Sequence, residues 1–198
     1  MAEVKILIRG YTSAEEVEVA GEERTCPTIS LVRDNGKIMI VDPGVLRNPD
    51  DLREKLREDG LTTDDIDFVF LTHSHLDHYR NTGMFARAKV IEYFGIWDGN
   101  KCDDWQEQFS EDIKIIKTPG HDSSSLTLLV ETEKGTVAVC GDVFWKENYP
   151  ENDPYASDPV KLAESRKKVL ESADFVIPGH GSMFSAKGRS ASGRKFKK

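Results

Sequence analysis

All five histidines of the chain fall in three short segments, each placed just beyond an apolar run that reads as a strand. His73, His75 and His78 share one segment with Asp77, in Thr72-His73-Ser74-His75-Leu76-Asp77-His78. His121 follows Thr118-Pro119-Gly120, and His180 follows Pro178-Gly179. Imidazole and carboxylate are the donors that zinc and neighbouring metals accept from protein, and a rigid strand end can hold such a donor while its loop turns it into a cleft. In an extended segment His73 and His75 point to the same side and can grip one ion, whereas Asp77 and His78, reached after the chain turns, can serve a second. Asp142, in Cys140-Gly141-Asp142, is the expected bridging carboxylate, because two cations roughly 3.5–4 Å apart need an anion between them. The expected ligands are therefore His73, His75, Asp77, His78, His121, Asp142 and His180. Mixed His and Asp ligation leaves room for water, which a closed structural site of Cys and His does not, so the pattern points to catalysis.

The rest of the chain supports a two-sheet α/β (α+β) fold. Strands are expected at 4–8 and 17–19, then in a hairpin of 28–32 and 37–41 around Asp34-Asn35-Gly36, whose residues tolerate positive φ. Leu52 and Leu56, four apart among charges, predict an exposed helix over 50–58 that Gly60 ends. Phe68-Val69-Phe70-Leu71 predicts a buried strand, followed by strands at 89–92, 113–117, 126–130 and 136–140. Asp158 caps a second helix with Pro159 at its first position and Val160, Ala163, Val169 and Leu170 on its apolar face. A last strand at 173–177 leads to His180. Strand groups in each half, each followed by an amphipathic helix, imply two packed sheets with helices outside. A doubly wound parallel sheet fits less well, since the hairpins are antiparallel and no Gly-rich phosphate loop is present.

One domain is expected over 1–184, with a basic, flexible tail over 185–198 that carries Lys187, Arg189, Arg194, Lys195, Lys197 and Lys198. The 27 Lys and Arg against 35 Asp and Glu give a net charge of −8, which makes the body a poor general trap for nucleic acid. Cys26, Cys102 and Cys140 are odd in number and form no CxxC pair, so reduced thiols in the cytoplasm are expected. Residues 1–10 interleave Glu3, Lys5 and Arg9 with apolar residues, unlike a signal peptide, and no apolar run reaches the length of a membrane span.

These motifs resemble the metallo-β-lactamase superfamily over nearly the whole chain. Asp42-Pro43-Gly44 is similar to its first motif, residues 73–78 to the second, His121 to the third, Asp142 to the fourth and His180 to the fifth. The resemblance implies a four-layer αββα sandwich with the metals at the open edge between the sheets. It implies that His73, His75 and His121 hold one ion, that Asp77, His78 and His180 hold another, that Asp142 bridges them, and that Asp42 steadies the ligand loops from behind. The cofactors implied are two divalent ions, Zn2+ first, with Mn2+ or Fe2+ open. Gly141-Asp142-Val143-Phe144, residues 165–170 and residues 176–181 resemble the family of metallo-β-lactamase domain-containing protein 1. Its animal members are associated with hydrolysis of histone pre-messenger RNA, but this acidic body carries no recognisable RNA-recognition module. A glyoxalase II would carry a helical domain after His180, and dizinc β-lactamases commonly place a cysteine where this chain has Asp142. Lactonases of this fold use a tyrosine near the metals, for which Tyr149 and Tyr155 are candidates, with loop packing favoured for either.

The expected function is metal-dependent hydrolysis, in which a metal-bridging hydroxide attacks an ester, thioester, lactone or phosphodiester and Asp77 orients it and takes its proton. One alternative is a mononuclear iron dioxygenase of the persulfide type on His73, His121 and Asp142. Another is an endoribonuclease or RNA-associated protein. Small molecule and nucleic acid stay open as substrates, as does a homodimer; no membrane partner is expected. Segments 92–110 and 144–157 are expected to line the mouth, with Trp97, Trp105 and Trp145 as a candidate apolar wall or as core. Ser123, Ser124 and Ser125 read as hydrogen bonders at a strand entry rather than nucleophiles.

Overall fold

Runs of alternating and continuous apolar sequence become two sheets stacked face to face. The computed structural model describes residues 1–14, 23–147 and 150–187; the strand expected at 17–19, Tyr149 and the tail beyond Lys187 lie outside the described residues. In chain order the elements are β1 (Glu3–Ile8), β2 (Tyr11–Thr12), β3 (Thr25–Cys26), β4 (Ile29–Asp34), β5 (Lys37–Val41), α1 (Asp50–Glu58), β6 (Phe68–Phe70) and the single turn α2 (Leu76–Tyr79). There follow β7 (Lys89–Glu92), β8 (Gly95–Asp98), β9 (Lys101–Asp103), β10 (Ile113–Lys117), β11 (Leu126–Thr132), β12 (Gly135–Val139), α3 (Pro159–Ser172), β13 (Phe175–Ile177) and β14 (Phe184–Ser185).

The first sheet has the order β1-β4-β5-β6-β7-β8-β9 and the second β10-β11-β12-β13-β14, while β2 and β3 form a small ribbon of their own. The β4–β5 hairpin turns at Asn35 (φ 48°) and Gly36 (φ 74°), positive at both central positions as a two-residue turn of matching twist requires. β5, β6 and β7 are parallel neighbours, as are β12 and β13, which α3 joins.

Alternation along the central strands explains the layers. Met39 and Val41 of β5 enter the core between the sheets with Leu128, Val130, Val139 and Ile177, whereas Ile40 turns outward to Leu52 and Leu56 of α1. Leu129 and Ala138 likewise leave the second sheet's outer face to meet Leu162 and Val169 of α3. Both faces are covered, which is why these strands read as near-continuous apolar runs. The order helix, sheet, sheet, helix is the expected αββα sandwich.

One expectation needs correcting. The buried face of α3 is Leu162, Ser165, Arg166 and Val169, while Val160 is 70% exposed and Ala163 is exposed. Ser165 donates to the Pro119 carbonyl (2.7 Å) and Arg166 Nε to that of Val143 (3.0 Å), so polar side chains occupy two of the four inward positions and mask the apolar period. The chain beyond His180 stays packed through Ala186, whose N–H donates to the Asp174 carbonyl. No helix among the described residues is long and apolar enough to cross a membrane.

Candidate metal centre

Topology delivers the histidine segments to one place. β5 and β6 run parallel and end at Asp42 and at the 71–78 segment; β10, β12 and β13 also share a direction, since β11 is antiparallel to β10 and β12. Their ends carry His121, Asp142 and His180 to the edge between the sheets, where all seven expected ligands gather into two sets.

In one set His75 Nδ1 lies 3.0 Å from both His73 Nε2 and His121 Nε2, and His121 Nε2 is 3.4 Å from Asp142 Oδ2. In the other, His78 Nε2 lies 3.4 Å and His180 Nε2 3.2 Å from Asp142 Oδ1, and each is 3.7 Å from Asp77 Oδ2. Donors around a tetrahedral zinc at 2.0–2.1 Å lie roughly 3.3 Å from one another, so the first set already has the required spacing. His78 Nε2 and Asp142 Oδ1 are buried and make no sound hydrogen bond. Two orphaned lone-pair atoms aimed at each other are costly unless a cation or proton sits between them. The donor set therefore fits a pair of divalent ions with the Asp142 carboxylate between the two sets, both of its oxygens 3.2 Å from His180 Nε2.

Outer partners hold the rings. The His78 Nδ1–H donates to Asp42 Oδ2 (2.8 Å), which also accepts from Thr72 Oγ1 (2.7 Å), while Thr72 Oγ1 lies 3.0 Å from His73 Nδ1. Asp42 Oδ1 accepts the Thr72 N–H as well, so one buried carboxylate braces two ligand histidines. His121 Nδ1–H donates to Asp153 Oδ2 (2.8 Å), and His180 Nδ1 to the Cys26 carbonyl (3.0 Å). Because those acceptors carry no proton, Nε2 of His78, His121 and His180 is the nitrogen left to face inward. Thr25 Oγ1 donates to Asp77 Oδ2 (3.1 Å). Glycines allow the close approach: at Gly141 (φ 50°) a Cβ would strike Thr72 Oγ1, and at Gly179 it would strike Asp142 Oδ1.

The electrostatics match. Burial, reinforced by the neighbouring His78, pushes the His73 imidazole well below the usual range. Burial lowers His78 and His180, but Asp142, joined by Asp42 at His78 and by the Cys26 carbonyl at His180, holds both above the ordinary value. Burial would raise Asp142, yet His180 and His78 keep it well below the usual carboxylate range.

Above the ligands is a cleft of about 300 Å³ whose mouth is made by Thr12, Glu23, Thr25, Trp145 and Tyr155. Tyr155 stacks on Trp145 (5.8 Å, 24°) and donates its hydroxyl to Glu23 (2.7 Å) across the opening. Trp145 and Tyr155 of the 144–157 segment thus line the mouth as expected. The 92–110 segment does not line this cleft: it forms the edge hairpin β8–β9, with Trp97 39% exposed and Trp105 beside a separate cleft with Tyr93 and Lys117. The small ribbon β2–β3 fills the role instead, because Thr25 is one residue from the carbonyl that His180 grips. Ser125 accepts the Asp122 N–H and its carbonyl accepts that of Thr118, the strand-entry role expected of it. Sequence reasoning missed Asp153, Thr25, Glu23 and Thr72; only Thr72, adjoining the histidine motif, carried a local signal.

Comparison with known proteins agrees with this fold. A family model described as the metallo-beta-lactamase superfamily matches residues 27–99. Metallo-beta-lactamase domain-containing protein 1 of Xenopus laevis is 30% identical over 91% of this chain and 80% of its own length. A candidate metallo-beta-lactamase of Thermotoga maritima superposes with a TM-score of 0.72 at 27% identity, covering 93% of this chain and 99% of that one. An N-acyl homoserine lactone hydrolase, with N-hexanoyl-L-homoserine bound at its catalytic metal centre, shares the fold at 17% identity, a TM-score of 0.67 and coverage of 91% and 92%.

Proposed function

The chain belongs to the metallo-β-lactamase superfamily, and on that premise we propose that it hydrolyses a small carbonyl substrate, an ester, thioester or lactone, at a centre of two zinc ions. The observation that carries this reading is Asp142, which lies between the two sets of histidine nitrogens, with Oδ2 3.4 Å from His121, Oδ1 3.4 Å from His78 and both oxygens 3.2 Å from His180. Two divalent ions bound there would acidify water and polarise the scissile carbonyl. Asp77, whose Oδ2 Thr25 fixes by hydrogen bonding, would orient the attacking water and take its proton. Trp145 and Tyr155 would cover the substrate and exclude bulk water from it.

Carbonyl substrates are favoured over phosphodiesters by the mouth. Its described lining contains the carboxylate of Glu23 and neither Lys nor Arg, whereas recognition of a nucleic-acid backbone calls for cationic side chains beside the reacting phosphate. The lactone hydrolase that shares this fold holds its product at a metal centre, so such chemistry suits the architecture; the choice for this chain rests on its own mouth.

Metal content by plasma mass spectrometry, on protein purified without added metal, tests the reading with Asp142→Ala as control. About two zinc ions per chain, lost in the variant, with hydrolysis of aryl esters or lactones and not of bis-aryl phosphodiesters, is the expected result. A single iron per chain would move the assignment to a dioxygenase, and no bound metal would end it.

A further inference from the structure

The loop after β12 is tied to the ligand set by one carboxylate. Asp153 has no exposed side-chain surface, and His121, its partner, has 1%. Asp153 Oδ2 accepts from His121 Nδ1 while its Oδ1 accepts the Tyr155 N–H (2.9 Å). The same stretch is stitched to the ligand's own backbone, for Ser157 N donates to the His121 carbonyl (3.0 Å) and Asp158 N to that of Gly120 (2.9 Å). Two residues beyond Asp153, the Tyr155 ring stacks on Trp145 and reaches Glu23 on the other side of the mouth.

We propose that Asp153 is a positioning residue that couples occupancy of the metal site at His121 to closure of the mouth by Tyr155 and Glu23. The inference rests on the metal-site reading above. An ion held by His121 Nε2 leaves Nδ1 as the proton-bearing nitrogen, and the buried Asp153 carboxylate is the acceptor placed to receive it. The other oxygen of that carboxylate fixes the Tyr155 amide, so the ring that forms one jaw of the mouth inherits its position from the ligand histidine. Without the ion, the proton can sit instead on His121 Nε2, which lies 3.0 Å from His75 Nδ1, and Asp153 then has one donor fewer in a buried site. The mouth then loses its anchor. Substrate would meet a formed mouth only on a metal-loaded chain.

Hydrogen–deuterium exchange of peptides spanning 150–158 tests this on the full chain, chelated and then loaded with zinc chloride, with metal content measured on the same samples. In the wild type, zinc is expected to slow exchange at the Tyr155 amide about tenfold or more, since opening of the loop becomes coupled to loss of the ion. Asp153→Asn should still take up both ions at saturating zinc, bind one of them about 10–100-fold more weakly, and lose most of the zinc-dependent slowing. A merely structural Asp153 would change exchange equally with and without zinc. Zinc uptake by the wild type without any change in exchange overturns the coupling and spares the metal site, and this arm stands even if the variant fails to fold. A full zinc response in Asp153→Asn overturns the role of Asp153 itself. A wild type that takes up no zinc overturns the metal-site reading and this inference with it.

Discussion

Gly179 cannot carry a side chain without moving Asp142. Its N–H donates to the Gly141 and Phe144 carbonyls, both at 2.9 Å, and its own carbonyl accepts from Thr28, so the backbone has nowhere to retreat. A Cβ there would collide with Asp142 Oδ1, the oxygen that faces His78 and His180. Gly179→Ala is therefore expected to fold with a loss of about 1–3 kcal/mol, typical of overpacking, and to bind metal at least tenfold more weakly at both positions. Thermal melts and competition with a chromogenic chelator would measure the two effects separately; wild-type affinity in the variant would show that Asp142 does not bridge. The glycine was visible beside His180 in the sequence, but its purpose was not, because the atom it makes room for is 37 residues away in the chain.

Helices α1 and α3 looked alike as sequence, each a charged segment with a few apolar residues, yet they differ in what they support. Leu56 of α1 packs on the outer face of the first sheet with Leu31, Ile40 and Val69, away from the histidines. The side chain of Asp158, which caps α3, accepts the Val160 and Lys161 N–H groups, and its own N–H donates to the Gly120 carbonyl beside His121. Leu56→Ala should lower stability by about 2–5 kcal/mol and leave the metal content of the folded protein unchanged. Asp158→Ala should cost only about 1 kcal/mol, yet weaken metal binding several-fold, because the helix start braces the His121 loop. Denaturant titration with metal analysis on each variant checks the contrast, and a greater metal defect in Leu56→Ala would contradict it. The histidine motifs, the β4–β5 hairpin and α1 were legible because period and turn chemistry act over a few residues. The short strands β2, β3, β8 and β9 were not, since they carry neither a period nor a continuous apolar run; Asp153 and Glu23 stayed hidden because contact across the fold alone makes them matter.

Across the whole molecule, the metal centre gathers four buried histidines with Asp42 and Asp142 at one edge, and this couples its folding to metal and to pH. Ion binding stabilises the folded state in proportion to the logarithm of occupancy, about 2.7 kcal/mol at a hundredfold excess over the dissociation constant. The metal-free fold has a substitute in the protons that Asp142 induces on His78 and His180, whose folded pKa values are raised above 6.5. A raised value means that this contribution is fully present below pH 6.5 and is lost as pH climbs through the folded values. Asp142 acts in the opposite window, its depressed value keeping its contribution intact until pH falls below the ordinary 3.8. Between pH 6 and pH 8, then, Asp142 contributes a constant amount; the buried, depressed His73 and His75 hold no proton for zinc to displace, so the raised pair sets the pH dependence of zinc binding. At pH 6 zinc must displace protons that already hold the edge together, and each rise in pH lowers the cost of removing them. The rise in Tm on adding zinc to chelator-treated protein should accordingly be larger at pH 8 than at pH 6, and zinc uptake in weak buffer should release protons at the lower pH. Equal rises at both values, without proton release, would mean that the metal-free edge is held by something other than those imidazolium–carboxylate pairs.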